Sequence, residues 1–170
     1  MTAVTPALMT VLAVLSSDPP PPRNAISAQV GSLFSSGLTL QYEREVVRRL
    51  SLVNSLSYRF SGGDEFDTRE VGGGFEGRFW FVGRGMIGPY AGLRFDYSFT
   101  RVSEGDRFLG SSMSYAESVV GGVRFMFWRR LEATPQVGIG VRQELDPRGR
   151  LEPQNHLDVL RLGLTLGVMF

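Results

Sequence analysis

The chain closes on Leu157–Phe170, LDVLRLGLTLGVMF. Every second residue read back from the end gives Phe170, Val168, Leu166, Leu164, Leu162 and Leu160. The residues between are Met169, Gly167, Thr165, Gly163, Arg161 and Val159. One set is wholly apolar and ends in an aromatic ring. The other is small or polar and carries a full charge. Side chains alternate across a β-strand with a period of two, so this segment is a strand with one greasy and one polar face.

The same alternation recurs back through the chain to about residue 25, and no stretch shows a 3.6-residue period of useful length. It predicts eight strands, near 25–34, 36–45, 50–60, 69–81, 89–101, 112–127, 131–145 and 157–170. The apolar face carries Leu38, Leu40 and Tyr42, then Leu52, Leu56 and Tyr58, then Phe75, Phe79 and Phe81. It continues with Leu93, Phe95 and Phe99, then Val119 and Phe125, then Val137, Ile139 and Val141. The opposite face interleaves Gly, Ser and Thr with Glu43, Arg59, Glu76, Arg78, Arg94, Asp96, Arg124, Glu132, Arg142, Glu144 and Arg161. Asn54 and Glu117 fall on the apolar face, and a bulge near Glu117 is one way to turn it inward. Pro135 lacks an N–H for the ladder and hints at a bulge or a strand start.

Two barrels fit this pattern. A soluble ligand-binding barrel of the lipocalin kind puts the apolar face inside, and a membrane barrel puts it outside. Three arguments favour the second. An eight-stranded barrel has little internal room, and the apolar face is the bulky one. The polar face balances its charges, as a narrow interior requires, because an unpaired buried charge is costly. Strands of roughly 13 residues tilted about 40° are long enough to cross a ~25 Å apolar band. Fold class is thus all-β, an eight-stranded antiparallel up-and-down transmembrane β-barrel. The connections 46–49, 82–88 and 128–131 are short, and 61–68, 102–111 and 146–156 are longer and polar, so the two rims differ.

The rest of the composition sets bounds. A length of 170 residues suits one domain, and a net charge of +1 gives no electrostatic case for nucleic acid. All 18 basic residues are arginine, which pairs bidentately with carboxylates. There is no cysteine and one histidine, His156, so neither a disulfide nor a transition-metal site is expected, and no cofactor. Residues 1–17 end a short apolar run at Leu15 and read as a signal peptide with a cut near Ser16 or Ser17, although a basic n-region is missing. Residues 18–24 read as a Pro-rich linker, leaving 25–170 as the barrel domain.

A final strand of alternating apolar residues ending in Phe170, together with eight strands and short turns at one rim, resembles the small bacterial outer-membrane proteins of the OmpA and OmpX type. The resemblance covers 25–170 in architecture and in the C-terminal signal Leu162, Leu164, Leu166, Val168 and Phe170. It implies residence in the outer membrane, contact with its lipid and lipopolysaccharide, and insertion by the barrel assembly machinery. It also implies termini in the periplasm and long loops outside, open to surface or periplasmic protein partners that the sequence does not identify. Tyr42, Trp80, Tyr90, Tyr97 and Trp128 would then serve as interfacial aromatics, although Trp80 has luminal parity.

Local motifs add little. Gly83, Gly85 and Gly88 have GxGxxG spacing, but a strand follows where a dinucleotide site needs a helix. His156 adjoins no serine, so neither a hydrolytic triad nor the motifs of lipid A-modifying enzymes are met. Asp64, Glu65 and Asp67 lack the spacing of a calcium loop. The luminal charges are open to a narrow porin-like or ligand-conducting channel as well as a structural plug. The small bore favours a non-enzymatic protein with a structural luminal salt-bridge network and surface loops for interaction. The Arg residues near those loops, Arg69, Arg101, Arg107, Arg148 and Arg150, are candidates to pair with lipid phosphates.

Overall fold

A computed structural model describes residues 22–30, 36–62, 67–82, 86–105, 107–128, 130–145 and 151–170, with only the backbone of 151–161. Eight antiparallel strands close in sequence order into one barrel. They are β1 (Asn24–Gln29), β2 (Gly37–Val47), β3 (Leu50–Gly62), β4 (Asp67–Trp80), β5 (Gly88–Glu104), β6 (Arg107–Phe127), β7 (Leu131–Leu145) and β8 (Leu151–Met169). The ring shuts where β1 pairs with β8, Ile26 opposite Val168. Asn24 and Phe170 exchange backbone hydrogen bonds of 3.0 and 2.9 Å at that seam.

Rows of paired residues do not close on themselves. Ala25 pairs Glu43, and the row runs on through Val53, Glu76, Arg94, Ser118 and Gly140 to Asp158, yet Ala25 itself pairs Met169. That stagger is what tilted strands need to form a tube. The two ends of the barrel, Asn24 and Phe170, and the tight turns at Arg48–Arg49 and at Trp128 and Arg130 lie at one rim. Arg49 and Trp128 adopt positive φ (70° and 42°) to reverse the chain there.

Several expectations needed revision. β1 ends at Gln29 rather than near 34, and the linker's last residue, Asn24, already belongs to β1. The signal-peptide segment 1–17 and residues 18–21 lie outside the described residues, as do Asp64, Glu65, Arg148, Arg150, Gly83 and Gly85. Much of the predicted loop 102–111 is strand. β5 and β6 pair as far as Glu104 and Arg107, turning at Gly105 (φ 55°) with a register shift between Val102 and Ser103. β8 likewise begins at Leu151, so the predicted loop 146–156 is shorter. Polar residues on both faces hid these extensions, because hydrogen-bonded ladders continue without an apolar face once a hairpin stands in water.

Neither suspected bulge exists. Glu117 faces outward in unbroken register between Phe95 and Val141. Asn54 also faces outward, between Tyr42 and Phe75. Pro135 lies inside β7 facing outward, and the register is the same on either side of it. Gly122 pairs Gln136 and Phe125 pairs Ala133, with only the rungs at Val123 and Arg124 interrupted.

One glycine decides the packing inside. Gly122 faces the lumen opposite Tyr90, and a Cβ there would lie 2.8–2.9 Å from the Tyr90 ring and 2.7 Å from the Pro135 carbonyl oxygen. The absent side chain lets that ring lie flat on the wall. Gly122→Val is expected to dislodge it and destabilise the barrel by about 1–3 kcal/mol, read as a lower unfolding temperature in detergent. An unchanged midpoint would show that the ring position is not constrained.

Candidate functional site

The two faces separate as the alternation required. Outward-facing Leu38, Leu56, Phe75, Leu93, Phe99, Val119, Phe125, Ile139, Leu162 and Leu166 are all exposed. Glu43, Glu76, Arg78, Arg124, Glu132, Ser51, Thr134 and Thr165 are buried inside. An inverted arrangement, apolar out and charged in, makes the lumen and the outer wall the two places where function can reside.

The lumen is layered. Towards the rim that carries the chain ends lies an apolar layer of Ala25, Trp80, Met86, Tyr90, Val120 and Met169. Met86 is drawn in from the β4–β5 connection and is completely buried. The Trp80 and Tyr90 rings pack at 4.9 Å between centroids. These two aromatics were expected at an interface with lipid. They point inward because both occupy even-numbered, luminal positions on β4 and β5, and the interface role fails for them. Tyr42 and Trp128 remain outside, the latter 87% exposed at its turn, and Tyr97 keeps its outward parity.

The next layer is ionic. Glu43 Oε2 accepts from Arg78 Nη1 at 2.7 Å and from Arg124 Nη2 at 2.5 Å. Arg78 Nε also donates to Glu76 Oε1 at 2.6 Å. Arg124 Nε pairs with Glu132 Oε2 and donates to Thr134 Oγ1 at 3.2 Å. Ser51 donates its hydroxyl to the other Glu43 oxygen and accepts from Trp80 Nε1 at 2.9 Å. The two layers interlock, since the Arg78 guanidinium lies 4.6 Å from the Tyr90 ring centroid and Arg124 lies 5.0 Å from that of Trp80. Tyr90 is anchored by donating to Gln136 Oε1 at 3.0 Å.

Beyond the ions the lumen opens into a polar cavity of about 460 Å³, lined by Thr39, Ser55, Ser57, Arg94, Asp96, Ser98, Ser114 and Arg142 among others. Arg94 pairs with Asp96 at 2.8 Å and reaches towards Glu76 at 3.9 Å. Arg142 donates to Ser114 at 3.0 Å and stands 3.6 Å from Glu144, whose side chain is half exposed. Arg59 pairs with Glu70 at 3.2 Å near the mouth.

The expected charge set is therefore brought together in two tiers. Glu43, Glu76, Arg78, Arg124 and Glu132 form one buried cluster, and Arg94 and Asp96 adjoin it. Arg59, Arg142 and Glu144 are peripheral. Arg161 and His156 lie where only the backbone is described. Sequence reasoning missed Ser51, Tyr90, Gln136 and Met86 as members and Glu70 as the partner of Arg59, and it noted the luminal parity of Trp80 without placing it in the cluster. Parity alone could have found all of these except Met86. Among the described residues no group of three acidic, histidine or cysteine side chains is placed to hold a metal.

The arrangement defines an eight-stranded barrel with a filled, charge-paired lumen and an apolar exterior. The fold is that of the N-terminal β-barrel domain of Pseudomonas aeruginosa OprF. The solved structure of that domain superposes with a TM-score of 0.51 at 11% identity, covering 88% of this chain and 98% of that one. No protein-family model matches the chain, and no curated protein matches it.

Glu43 is the shared acceptor of two buried guanidiniums. Removing it strands both, and breaking one side of a buried pair costs about 3–5 kcal/mol. Glu43→Ala should therefore lower the unfolding temperature of the purified barrel far more than Glu144→Ala, whose loss at a half-exposed pair is about 0–1 kcal/mol. Equal effects in the two variants would show that the cluster is not a structural centre.

Proposed function

We propose that the chain is a small integral protein of a bacterial outer membrane, non-enzymatic, whose luminal charges are structural. Its interactions are made from the outer wall and the hairpins at the rim away from the chain ends. The observation that carries this reading is the inversion of the faces. An exposed belt of Leu, Phe, Val and Ile around a lumen of ion pairs is unstable in water and matches a hydrocarbon slab. The closed ring leaves no unpaired strand edge, which lipid would not tolerate. The likeness in fold to OprF's barrel domain and the resemblance of the sequence to OmpA-type barrels point the same way.

A conducting pore is disfavoured by the filled cross-section at Trp80, Met86, Arg78 and Arg124. The wild-type barrel in planar bilayers should be silent, and steady single-channel steps would overturn the plug reading. The C-terminal strand supports delivery by the barrel assembly machinery. Leu162, Leu164, Leu166, Val168 and Phe170 all face outward, as a segment read by another protein must. Deleting Phe170 should reduce the amount of folded barrel in membranes several-fold.

The primary test is a gel shift on heating. Extracted from the membrane fraction, the protein should run at one mobility unheated in SDS and at another after boiling. A soluble protein with no shift would overturn the membrane reading.

A further inference from the structure

The outer wall carries one charge pattern that the luminal network does not absorb. Arg69 on β4 and Arg101 on β5 are directly opposed in register, and both are exposed. They share the outward parity of Val71 and Phe99. Like charges facing each other across strands are destabilising. The two guanidiniums splay apart. Arg69 lies over the Phe60 ring at 5.9 Å, and Arg101 lies over the Phe108 ring at 5.1 Å. Among the described residues neither forms an ion pair with a carboxylate. Asp67 shares their face, but its Oδ1 is turned to Gly62, 3.3 Å from where a Cβ would stand.

We infer that the opposed pair Arg69 and Arg101 is a binding site for the phosphorylated headgroup of a membrane lipid, with its acyl chains laid on the apolar wall beneath. This rests on the membrane reading above. Position is the first argument. The row next to the pair, towards the apolar belt, is Tyr58, Val71, Phe99 and Met113. From Phe81 up to Val71, and from Pro89 up to Phe99, is about ten residues, or ~25 Å along the axis. The two arginines thus stand one step past the apolar belt, at headgroup height, on the rim away from the chain ends. Chemistry is the second. Two guanidiniums offer paired donors suited to a phosphate, and a dianion between them removes the repulsion that splays them. The contiguous apolar floor is what distinguishes a lipid from a soluble anion. Without a ligand the two guanidiniums rest on Phe60 and Phe108 by cation–π contact, and each leaves its ring to converge on the phosphate.

The test uses the full chain refolded in zwitterionic detergent and native mass spectrometry of bound lipid. The probes are bis-phosphorylated lipid A, its dephosphorylated form and inorganic phosphate. The wild type is expected to retain the phosphorylated lipid about tenfold better than the dephosphorylated one, the scale of one charge-assisted hydrogen bond. R69Q/R101Q should lose that preference. R44Q/R48Q, which removes two charges at the opposite rim, should keep it. All three proteins should still shift on heating, so a lost preference is not lost folding. Equal retention of both lipids by the wild type overturns the site, as does loss of preference in R44Q/R48Q but not in R69Q/R101Q. Displacement of the lipid by an equal concentration of inorganic phosphate would identify a soluble-anion site instead and overturn the lipid assignment. A wild type that lacks the heat shift sinks the membrane reading and this site with it, whereas a retained shift without lipid preference sinks the site alone.

Discussion

Two oxygens of one carboxylate organise the interior. Glu43 on β2 accepts from Arg78 on β4 and from Arg124 on β6, and its second oxygen takes the Ser51 hydroxyl. Charges buried this completely are tolerated only when each has its partner and the remaining donors are satisfied. Arg78 and Arg124 meet that condition by turning their remaining donors to Glu76, Glu132, Thr134 and the Met86 carbonyl. The arginines also face the Tyr90 and Trp80 rings, so the apolar layer and the ionic layer hold each other in place. Replacing one member disturbs both layers.

The choice of arginine throughout the chain fits this interior. A planar guanidinium can donate to two carboxylates and still present its face to a ring, as Arg78 does. A lysine ammonium is a point charge on a flexible stem and cannot do both. The glycines matter for the same reason of space. A bore of eight strands has room for large luminal side chains only where the facing wall is flat, and Gly122 supplies that under Tyr90.

The period-two pattern made the fold legible, because one slip of register would have exchanged the two faces everywhere. It put the charged residues on one face, of which Glu43, Glu76, Arg78, Arg124 and Glu132 are buried in the lumen. It did not say which charge meets which. Arg124 reaches across the bore to Glu43, a contact between residues 81 apart in sequence, and only the stagger of the closed ring brings them together. Tyr90 was misread because an aromatic residue near a strand end suits an interface by type, whereas its parity says lumen, and for Trp80 that parity already spoke against the interface. Met86 lies in a connection, where alternation carries no information. The lengths of β5, β6 and β8 were underestimated for a related reason. The apolar face marks where a strand would cross hydrocarbon, not where its hydrogen bonding stops.

The ionic cluster also explains how the ring survives its weakest joint. β1 is only six residues long and meets β8 through five described pairs, from Ala25 to Gln29, whereas β5 and β6 pair along nearly their whole length. Glu43 lies on the strand that follows β1, and Glu132 lies on the strand that precedes β8. Arg124 binds Glu132 from the neighbouring strand β6 and reaches across the bore to Glu43. The guanidinium therefore links the two strands that flank the seam, β2 and β7, across the inside of the barrel, so they cannot separate without exposing a buried charge. The reciprocal bonds between Asn24 and Phe170 pin the rim of the same seam. A joint too short to hold by its own ladder is thus clamped from inside. The charged lumen thus helps to hold the barrel closed.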